Sequence, residues 1–472
     1  MFLGGDAMPV NSFDDYPMSW KPRREQLTQP YYLSLASLLE YDIQSGRLPP
    51  HTKLPPQREL ADYLDLNLST VTRAYKRCEL KGLTYATTGR GTFVAPQPEA
   101  VAPEKPYIEL GSIYPFDSCN RAVVEGAKYV LSKGYAERLL DYGEPLGTPS
   151  QRGTARDWLR RLGVEATPEH IAVTSGAQNA LVISLLALFQ PGDAIAADHY
   201  TLPGFVELAK MLHLTVVPVV SDGFGMRPDA LDALCTQRRI RGVYLMPTCQ
   251  MPTTLMMDQT RREALAGLAE KHDLLVLEDD IYAFLAPEGV RPMAALVPDR
   301  TVYICSLSKS LSAGLRVAFL AYPPSWSERM IRGIYNVNVK TPSFNTEVAC
   351  TLIRSGVAEE IVREKITLAR ERNGLCDRFF SIRAGGNEHP LSFCRWVPLK
   401  GRRGIGIEEE ALAQGVRVFH SDRFLAGPPE DREYLRVALS SPADSAVLEQ
   451  GLTLLKAVTD RRPLRCAGSP VI

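Results

Sequence analysis

The sequence predicts a multidomain protein: a small α+β unit built as helix, turn, helix and hairpin, a large α/β domain on a mainly parallel sheet, and a small α+β C-terminal domain. Three observations carry that expectation. Residues 30–95 place apolar side chains first at helical spacing and then in two short strand-like runs. From about residue 107, short apolar runs alternate with helical stretches, the pattern of parallel strands covered by helices. From about residue 341 the helical stretches lengthen and strand-like runs reduce to Ser392–Val397 and Tyr434–Leu439. At about 150 residues per domain, 472 residues leave room for about three.

In chain order, residues 1–25 mix Gly, Pro, Asp and Arg without periodicity and are expected to be mobile or extended. The first unit is placed at 26–95. Tyr32, Leu35, Ala36, Leu39 and Ile43 recur at helical spacing up to Gly46, a plausible C-cap. Gly46-Arg-Leu-Pro-Pro50 is a rigid turn. A short helix carries Arg58, Leu60, Ala61 and Leu64; the next opens at Leu68 or Ser69 and is expected to bury Val71, Ala74, Tyr75 and Leu80. Thr84–Thr87 and Gly91–Ala95 read as a hairpin around Thr88-Gly89-Arg90-Gly91.

Helix, turn, helix and hairpin in this order is the winged-helix plan for reading DNA, in which the second helix enters the major groove. From Asn67 to Ala95 the basic residues Arg73, Lys76, Arg77, Lys81 and Arg90 face one acid, Glu79, so 5 minus 1 gives a local excess of +4. That is where phosphate neutralisation is expected. A helical cap with a solvated basic face is the plainer alternative. The runs Leu54-Pro-Pro-Gln-Arg58-Glu-Leu-Ala61, Val71-Thr-Arg73-Ala74-Tyr75 and Gly89-Arg90-Gly91-Thr-Phe-Val94 resemble the GntR-type winged helix. The resemblance implies that Arg58, Ser69, Thr70, Thr72 and Arg73 touch a double-stranded DNA operator and that Gly89 to Gly91, with Arg90, forms the wing tip. Residues 96–106, with four prolines, read as a semi-rigid linker.

The large domain is placed at 107–460, with a small subdomain from about 341 and a tail at 461–472. Its strands are expected at Ile171–Val173, Ala194–Ala197, Leu214–Val219, Gly242–Leu245, Leu274–Leu277, Val302–Cys305 and Val317–Leu320, with a helix over Ala180–Phe189. Ser306-Leu-Ser308-Lys309-Ser-Leu-Ser-Ala-Gly-Leu-Arg316 puts an amine, several hydroxyls and a guanidinium within eleven residues. Such a lysine can condense with an aldehyde while the hydroxyls and the arginine fork hold a phosphate; a polar loop with a solvated lysine is the alternative. About thirty residues earlier an apolar run ends in Glu278-Asp279-Asp280-Ile-Tyr282, and Ser175-Gly176-Ala177 precedes an apolar helix, a ready phosphate site.

Ser175-Gly-Ala-Gln178, Asp279-x-x-Tyr282, Ser306-x-Ser308-Lys309 and Gly314-Leu-Arg316 together resemble the fold-type I transferases that depend on pyridoxal 5′-phosphate, the aminotransferases, over roughly residues 107–460. The resemblance implies that Lys309 bonds the cofactor, Asp279 pairs with its ring nitrogen and Tyr282 with its phenolic oxygen. Ser175, Gly176, Ala177, Ser306, Ser308 and Arg316 are implied to hold the phosphate, Tyr200 to stack on the ring and Tyr142 to reach the phosphate of a neighbouring subunit in a homodimer. Arg436, alone in an apolar strand, is implied to clamp a substrate carboxylate. The structural alternatives are a core tyrosine for Tyr200, a loop residue for Tyr142 and an internal ion pair for Arg436. One departure stands out: where the family carries Gln-Asn-Pro-Thr-Gly, this chain reads Gln250-Met251-Pro252-Thr253-Thr254, so a thioether replaces an amide unless a loop shift brings Gln250 into its place.

A winged helix of GntR type fused to such a domain resembles the MocR-type subfamily of GntR regulators. Charge is balanced at 54 against 54, which removes any global field toward nucleic acid or membrane. Nine scattered cysteines without metal-ligand or disulfide spacing point to a reducing cytosol, and no bound metal is expected. The longest apolar run, Ala180–Phe189, is too short to span a bilayer, and no signal peptide is evident. Two functions stay open: a cytoplasmic transcription regulator that senses a small amine, amino acid or vitamin B6 compound through Lys309, or an aminotransferase with an accessory winged helix. The basic helix and Met251 favour the first; Lys309, Asp279, Arg316 and Arg436 keep the second alive.

Overall fold

The computed structural model describes residues 18–87, 90–95, 107–380, 387–401 and 404–460, and the chain divides into two compact units at Lys105 and Pro106. In the first unit, helix α1 (Tyr31–Gln44) packs on α3 (Leu68–Leu80), with α2 (Gln57–Leu64) between them in sequence. Strands β1 (Thr84–Thr87) and β2 (Gly91–Val94) pair antiparallel, Thr84 opposite Val94. The expected turn residues Thr88 and Gly89, the segment 96–106 and the tail 461–472 lie outside the described residues.

Two expectations for this unit are corrected. Residues 18–25 are not merely a mobile or extended tail: Met18 and Trp20, followed by Leu27, join the same apolar cluster as Leu35, Leu60 and Val71, and the Trp20 indole donates to buried Asp42 at 2.9 Å, while Ser19, Lys21 and Arg23–Glu25 are exposed. Residues 1–17 lie outside the described residues. Leu80 is exposed, not buried. At 100° per residue it falls opposite Val71, and Cys78 takes the place on the buried stripe beside Val71, Ala74 and Tyr75.

The second unit is built on a seven-stranded sheet, in the order Ile171–Thr174, Ala318–Ala321, Thr301–Ser306, Leu275–Asp279, Gly242–Leu245, Ala194–Asp198, Thr215–Val219. Only Ala318–Ala321 runs against its neighbours. The other six therefore end on one edge, where α/β sheets bind their ligands. All seven expected strands are found. The expected helix 180–189 begins three residues earlier, at Ala177.

After the long helix Val357–Phe379, a small sheet joins Cys394–Pro398, Tyr434–Ala438 and Phe419–His420. Its subdomain includes a piece the sequence reading placed elsewhere. Ile108–Glu109, at the start of the unit, pairs parallel with Val416–Arg417, so the small subdomain holds both ends of the unit rather than residues after 341 alone. Among the described residues no helix is long and apolar enough to cross a membrane.

Trp20 is 5 % exposed in the core of the first unit. Replacing it with alanine is expected to cost that unit about 3 kcal/mol or more, read as a lowered denaturant midpoint by circular dichroism of the isolated residues 1–105 or, if they do not express alone, of the full chain. An unchanged midpoint would show that residues 18–27 are dispensable packing.

Candidate functional site

Strand register assembles the site. Ala318 is paired on one side with Ser306 and on the other with Thr174. The residues that follow those two strands, Leu307–Ser310 and Ser175–Ala177, thus leave the sheet about two strand spacings apart, roughly 10 Å. Asp279 is paired with Ile304 on the next strand.

Glu278, Asp279 and Asp280 are all buried, and pleating sends alternate side chains to opposite faces. Glu278 accepts from the amides of Met293 and Ala294 at 2.9 Å each, and Asp280 from the hydroxyls of Thr248 (3.0 Å) and Tyr303 (3.3 Å). Asp279 is bonded differently. Its Oδ2 accepts from the Tyr244 hydroxyl at 2.8 Å, and the Tyr244 ring stacks on Phe205 with centroids 3.9 Å apart. Its Oδ1 is buried without a partner, as is the Tyr282 hydroxyl. Burial pushes the Asp279 carboxyl up to about 7 against the pull of the Tyr244 bond, with Asp280 adding repulsion. An orphaned buried acceptor is costly, and a pyridinium N–H is the cationic donor that would bring it back to the ionised form.

Lys309 lies in the short helix Leu307–Ser310, whose cap is Ser306 Oγ accepting from the Ser308 amide at 3.2 Å. Its ammonium donates to the Ile113 carbonyl. Burial first, and then the charge of Arg436, lowers its pKa to about 8. At pH 7 about one such lysine in ten carries a free lone pair, against about three in ten thousand for an ordinary one.

Arg316, at φ +52°, donates to Ser308 Oγ at 3.2 Å and lays its guanidinium over Gly176. Gly176 has φ +88°, which calls for glycine, and a Cβ there would lie 2.5 Å from Arg316 Nη2 and push the guanidinium aside. Gly176 is the N-cap of the twelve-residue helix Ala177–Leu188, whose first amides point at the same place. Ser175 is held by Asn338 (3.1 Å) and Thr341 (3.3 Å), and its amide by Asn179 (3.0 Å). The donor set of Ser308, Arg316 and the Ala177 helix fits a phosphate, and the orphaned Asp279 and Tyr282 atoms fit a pyridine ring.

Arg436 is 9 % exposed on the strand Tyr434–Ala438. It donates to the Gly111 carbonyl at 2.6 Å, lies over the Phe424 ring at 4.5 Å, and its Nε is buried without a partner. Among the described residues it is paired with a carbonyl rather than a carboxylate. Tyr142 is 90 % exposed and makes no contribution to these groups within its own chain; Lys340 donates to the neighbouring Asp141 carbonyl at 2.7 Å.

Tyr200 is not brought to Asp279 and Tyr282. It packs with Trp396 and Phe424, edge-on to Trp396 at 5.3 Å, while Leu202, two residues on, packs against the cluster that contains Tyr282, Tyr244 and Met251. Nor does Gln250 take the place of an asparagine: its Oε1 accepts from Thr253 Oγ1 at 2.5 Å and its Nε2 donates to the Tyr200 carbonyl at 3.4 Å. Met251 is buried, as are Gln250, Thr253 and Thr254. The next departure has a backbone cost, because Thr254 stands at φ +63° with its buried hydroxyl unpartnered.

Tyr244, Asn338 and Thr341 were missed from sequence. Tyr244 alone had a signal, a polar tip in the apolar strand Gly242–Leu245.

In the first unit, Arg58, Ser69, Thr72, Arg73 and Arg90 are exposed and Thr70 is half-buried. Thr72 donates to Gln57 at 2.7 Å, tying α3 to the start of α2, and the Arg73 guanidinium stacks 3.7 Å over the Tyr32 ring. Lys76 and Arg77 are exposed on the same helix.

A basic helix-turn-helix unit joined to a sheet-edge site of this composition defines a DNA-binding regulator carrying a domain of the pyridoxal-phosphate transferase type. Residues 31–94 match the bacterial regulatory proteins of the gntR family, and residues 106–420 match the aminotransferase class I and II family. YdeF of Bacillus subtilis, an HTH-type transcriptional regulator, is 37 % identical over 461 residues, covering 96 % of this chain and 99 % of YdeF. The vitamin B6 salvage pathway transcriptional repressor PtsJ of Salmonella typhimurium is 29 % identical over 293 residues, 61 % of this chain and 66 % of PtsJ. The fold matches kynurenine aminotransferase of Pyrococcus horikoshii at a TM-score of 0.70 and 22 % identity, over 75 % of this chain and 91 % of that one. The chain belongs to the GntR regulators of MocR type, in which a winged helix is fused to an aminotransferase class I and II domain. Pyridoxal phosphate is the cofactor of that domain.

Two outcomes follow from the geometry. The rate at which added pyridoxal phosphate bonds to Lys309, followed by absorbance, should rise about tenfold per pH unit below 8 and level off above it. Arg436→Met removes a like charge and should move that break to higher pH; a break unmoved near 10 in the parent protein contradicts the lowered lysine. Thr254→Gly should stabilise the second unit by about 1 kcal/mol, since a left-handed side chain costs roughly 1–2 kcal/mol and glycine's extra freedom returns roughly half of that. Thermal unfolding reads the sign.

Proposed function

We propose that this regulator senses a small amine, amino acid or vitamin B6 compound through pyridoxal phosphate held at Lys309, and passes the state of that site to its winged helix. The observation that carries the reading is a set of groups suited to a ring and a phosphate, with Met251 in place of an amide on the phenol-side loop, in one chain with an exposed basic recognition helix. When bound, the cofactor supplies an electron sink. The chain's own groups do the rest. Asp279, held by Tyr244, keeps the proton on the ring nitrogen; Tyr282 meets the phenolic oxygen; Ser308, Arg316 and the amides from Ala177 hold the phosphate, with Ser175, Gly176 and Ser306 shaping the cradle. Lys309 is the amine an incoming ligand must displace, and Arg436 orients a ligand carboxylate. Met251 offers the phenolic oxygen no N–H, which lowers the efficiency of transamination more than it lowers binding.

The DNA contacts belong to the same proposal: Arg58, Ser69, Thr70, Thr72, Arg73 and Arg90 on a double-stranded operator. So do a homodimer, to which the exposed Tyr142 contributes across the subunit boundary, and a cytoplasmic location, where the operator is. Tyr200 packs with Trp396 and Phe424 while Leu202 packs against the core cluster that includes Tyr282, which supports Leu202 rather than Tyr200 as this loop's contact with the ring. Residual aminotransferase activity is compatible with the reading, because the chain keeps Lys309, Asp279, Arg316 and Arg436.

The test is an absorption spectrum of the full chain with pyridoxal phosphate and a panel of amino acids and amines, alongside binding of a duplex selected from a random pool. A ligand that shifts both the band and the DNA affinity without keto-acid release supports a sensor. Rapid keto-acid release with no change in DNA affinity makes the protein an enzyme. Lys309→Ala should lose the band and the response while its DNA affinity without cofactor stays within about twofold.

A further inference from the structure

The segment between the small subdomain and the large one crosses the site. Ile108–Glu109 is fixed in the small subdomain: the Ile108 amide donates to the Gly415 carbonyl (2.7 Å), the Leu110 amide to the Arg417 carbonyl (2.8 Å), and the Ala438 amide to the Leu110 carbonyl (2.7 Å). Glu109, itself buried, accepts from the Gly111 amide at 2.9 Å and the Ser112 amide at 2.8 Å. The chain then passes over Arg436 and Lys309, whose side chains hold the carbonyls of Gly111 and Ile113. Ser440 and Ser441 take the carbonyls of Tyr114 and Ser112, and Ser441 accepts from the Tyr114 amide at 2.9 Å. Phe116 closes the crossing in the large core, edge-on to Phe393 at 4.8 Å.

Lys309 and Arg436, the cations that would meet the aldehyde and a carboxylate, are thus spent on carbonyls two residues apart in this crossing. A ligand must take those donors. Bonding of the Lys309 nitrogen to an aldehyde carbon expels the aldehyde oxygen as water together with two amine hydrogens, so the nitrogen keeps at most one proton to donate. A carboxylate at Arg436 competes with the Gly111 carbonyl, and a charged acceptor wins over a neutral one. The segment's upstream end leads, through residues 96–106, to the winged helix.

We propose that Gly111–Tyr114 is the element that reports occupation: pyridoxal phosphate bonded at Lys309 takes away the anchor on Ile113, a ligand carboxylate at Arg436 takes away the one on Gly111, and each loss loosens the segment that continues in sequence toward the winged helix. This rests on the sensing role proposed above and adds the route. A signal needs differential contact in the two states, and here each difference is one hydrogen bond to a backbone carbonyl, at Ile113 for the cofactor and at Gly111 for a ligand carboxylate. No other described segment takes a bond from both cations.

Hydrogen exchange of the full chain, with and without pyridoxal phosphate, decides it. With the absorption band present, the amides of 111–116 should exchange roughly tenfold faster than in the free protein, while those of the sheet strand Leu275–Asp279 should not. A band with unchanged or slower exchange in 111–116 overturns the route and leaves the sensing role standing; absence of any band removes both. The second arm uses Ser440→Ala with Ser441→Ala, which touch the crossing and not the ligand groups. That variant should keep the band, exchange fast at 111–116 without cofactor, and show under a twofold effect of pyridoxal phosphate on affinity for the selected duplex. If instead it responds as strongly as the parent protein, the crossing does not carry the signal.

Discussion

The pairing of Ala318 with both Ser306 and Thr174 is the constraint on which the site depends. One antiparallel strand inserted into an otherwise parallel sheet lets the first strand of the domain end beside the strand that carries the lysine turn, although some 130 residues separate them in the chain. A slip of one residue would reverse every side chain of Ala318–Ala321. All four are buried, Leu320 in one core cluster and Phe319 and Ala321 in another, so the slip would exchange side chains of different size between two packed cores. Lys309, Arg316 and the Gly176 cradle then need only short turns to meet.

Around that frame the site is held by charges that lack water and lack one another. Glu278 and Asp280 share a buried Arg262, and burial raises Glu278 to about 8. Asp279 has a tyrosine and no cation. Lys309 and Arg436 repel across the site, each bonded to a carbonyl. Unpaired buried charge is expensive, so the arrangement favours any ligand that brings a ring cation to Asp279 and an anion to Arg436. Binding relieves strain that the fold itself maintains, which is a basis for large coupling as much as for catalysis.

Much of this was legible in the sequence. Strand positions came from apolar runs, because strands buried on both faces read as continuous hydrophobic stretches. Lys309, Asp279, Tyr282 and Arg316 came from local motifs, whose residues are close in sequence and in space. What failed needed long-range information. Trp20 sits among polar neighbours, and only the Asp42 carboxylate on α1 makes it core. Leu80 was assigned by type rather than by its angle on the helix. Tyr200 and Leu202 stand two apart in one short loop, and it is Trp396 and Phe424, far along the chain, that draw Tyr200 into their own cluster. The strand Ile108–Glu109 has no signal at two residues; its partner Val416–Arg417 creates it.

The loop Gln250–Thr254 is where the proposed sensing role parts from turnover, and it differs from an aminotransferase loop at few positions. Catalysis needs the ring electronics tuned at the phenolic oxygen, and Met251 withdraws a donor there while keeping the pocket filled. Gln250 cannot compensate, because its amide is spent on Thr253 and Tyr200. Thr254 keeps the left-handed backbone that glycine adopts without cost, so the loop retains its path under strain. Holding the cofactor depends on other groups, namely Lys309, Asp279 and the phosphate cradle, none of which the loop touches through a hydrogen bond. Affinity and turnover are therefore separable in this fold, and a chain under demand to bind and release a signal can lose the second while keeping the first.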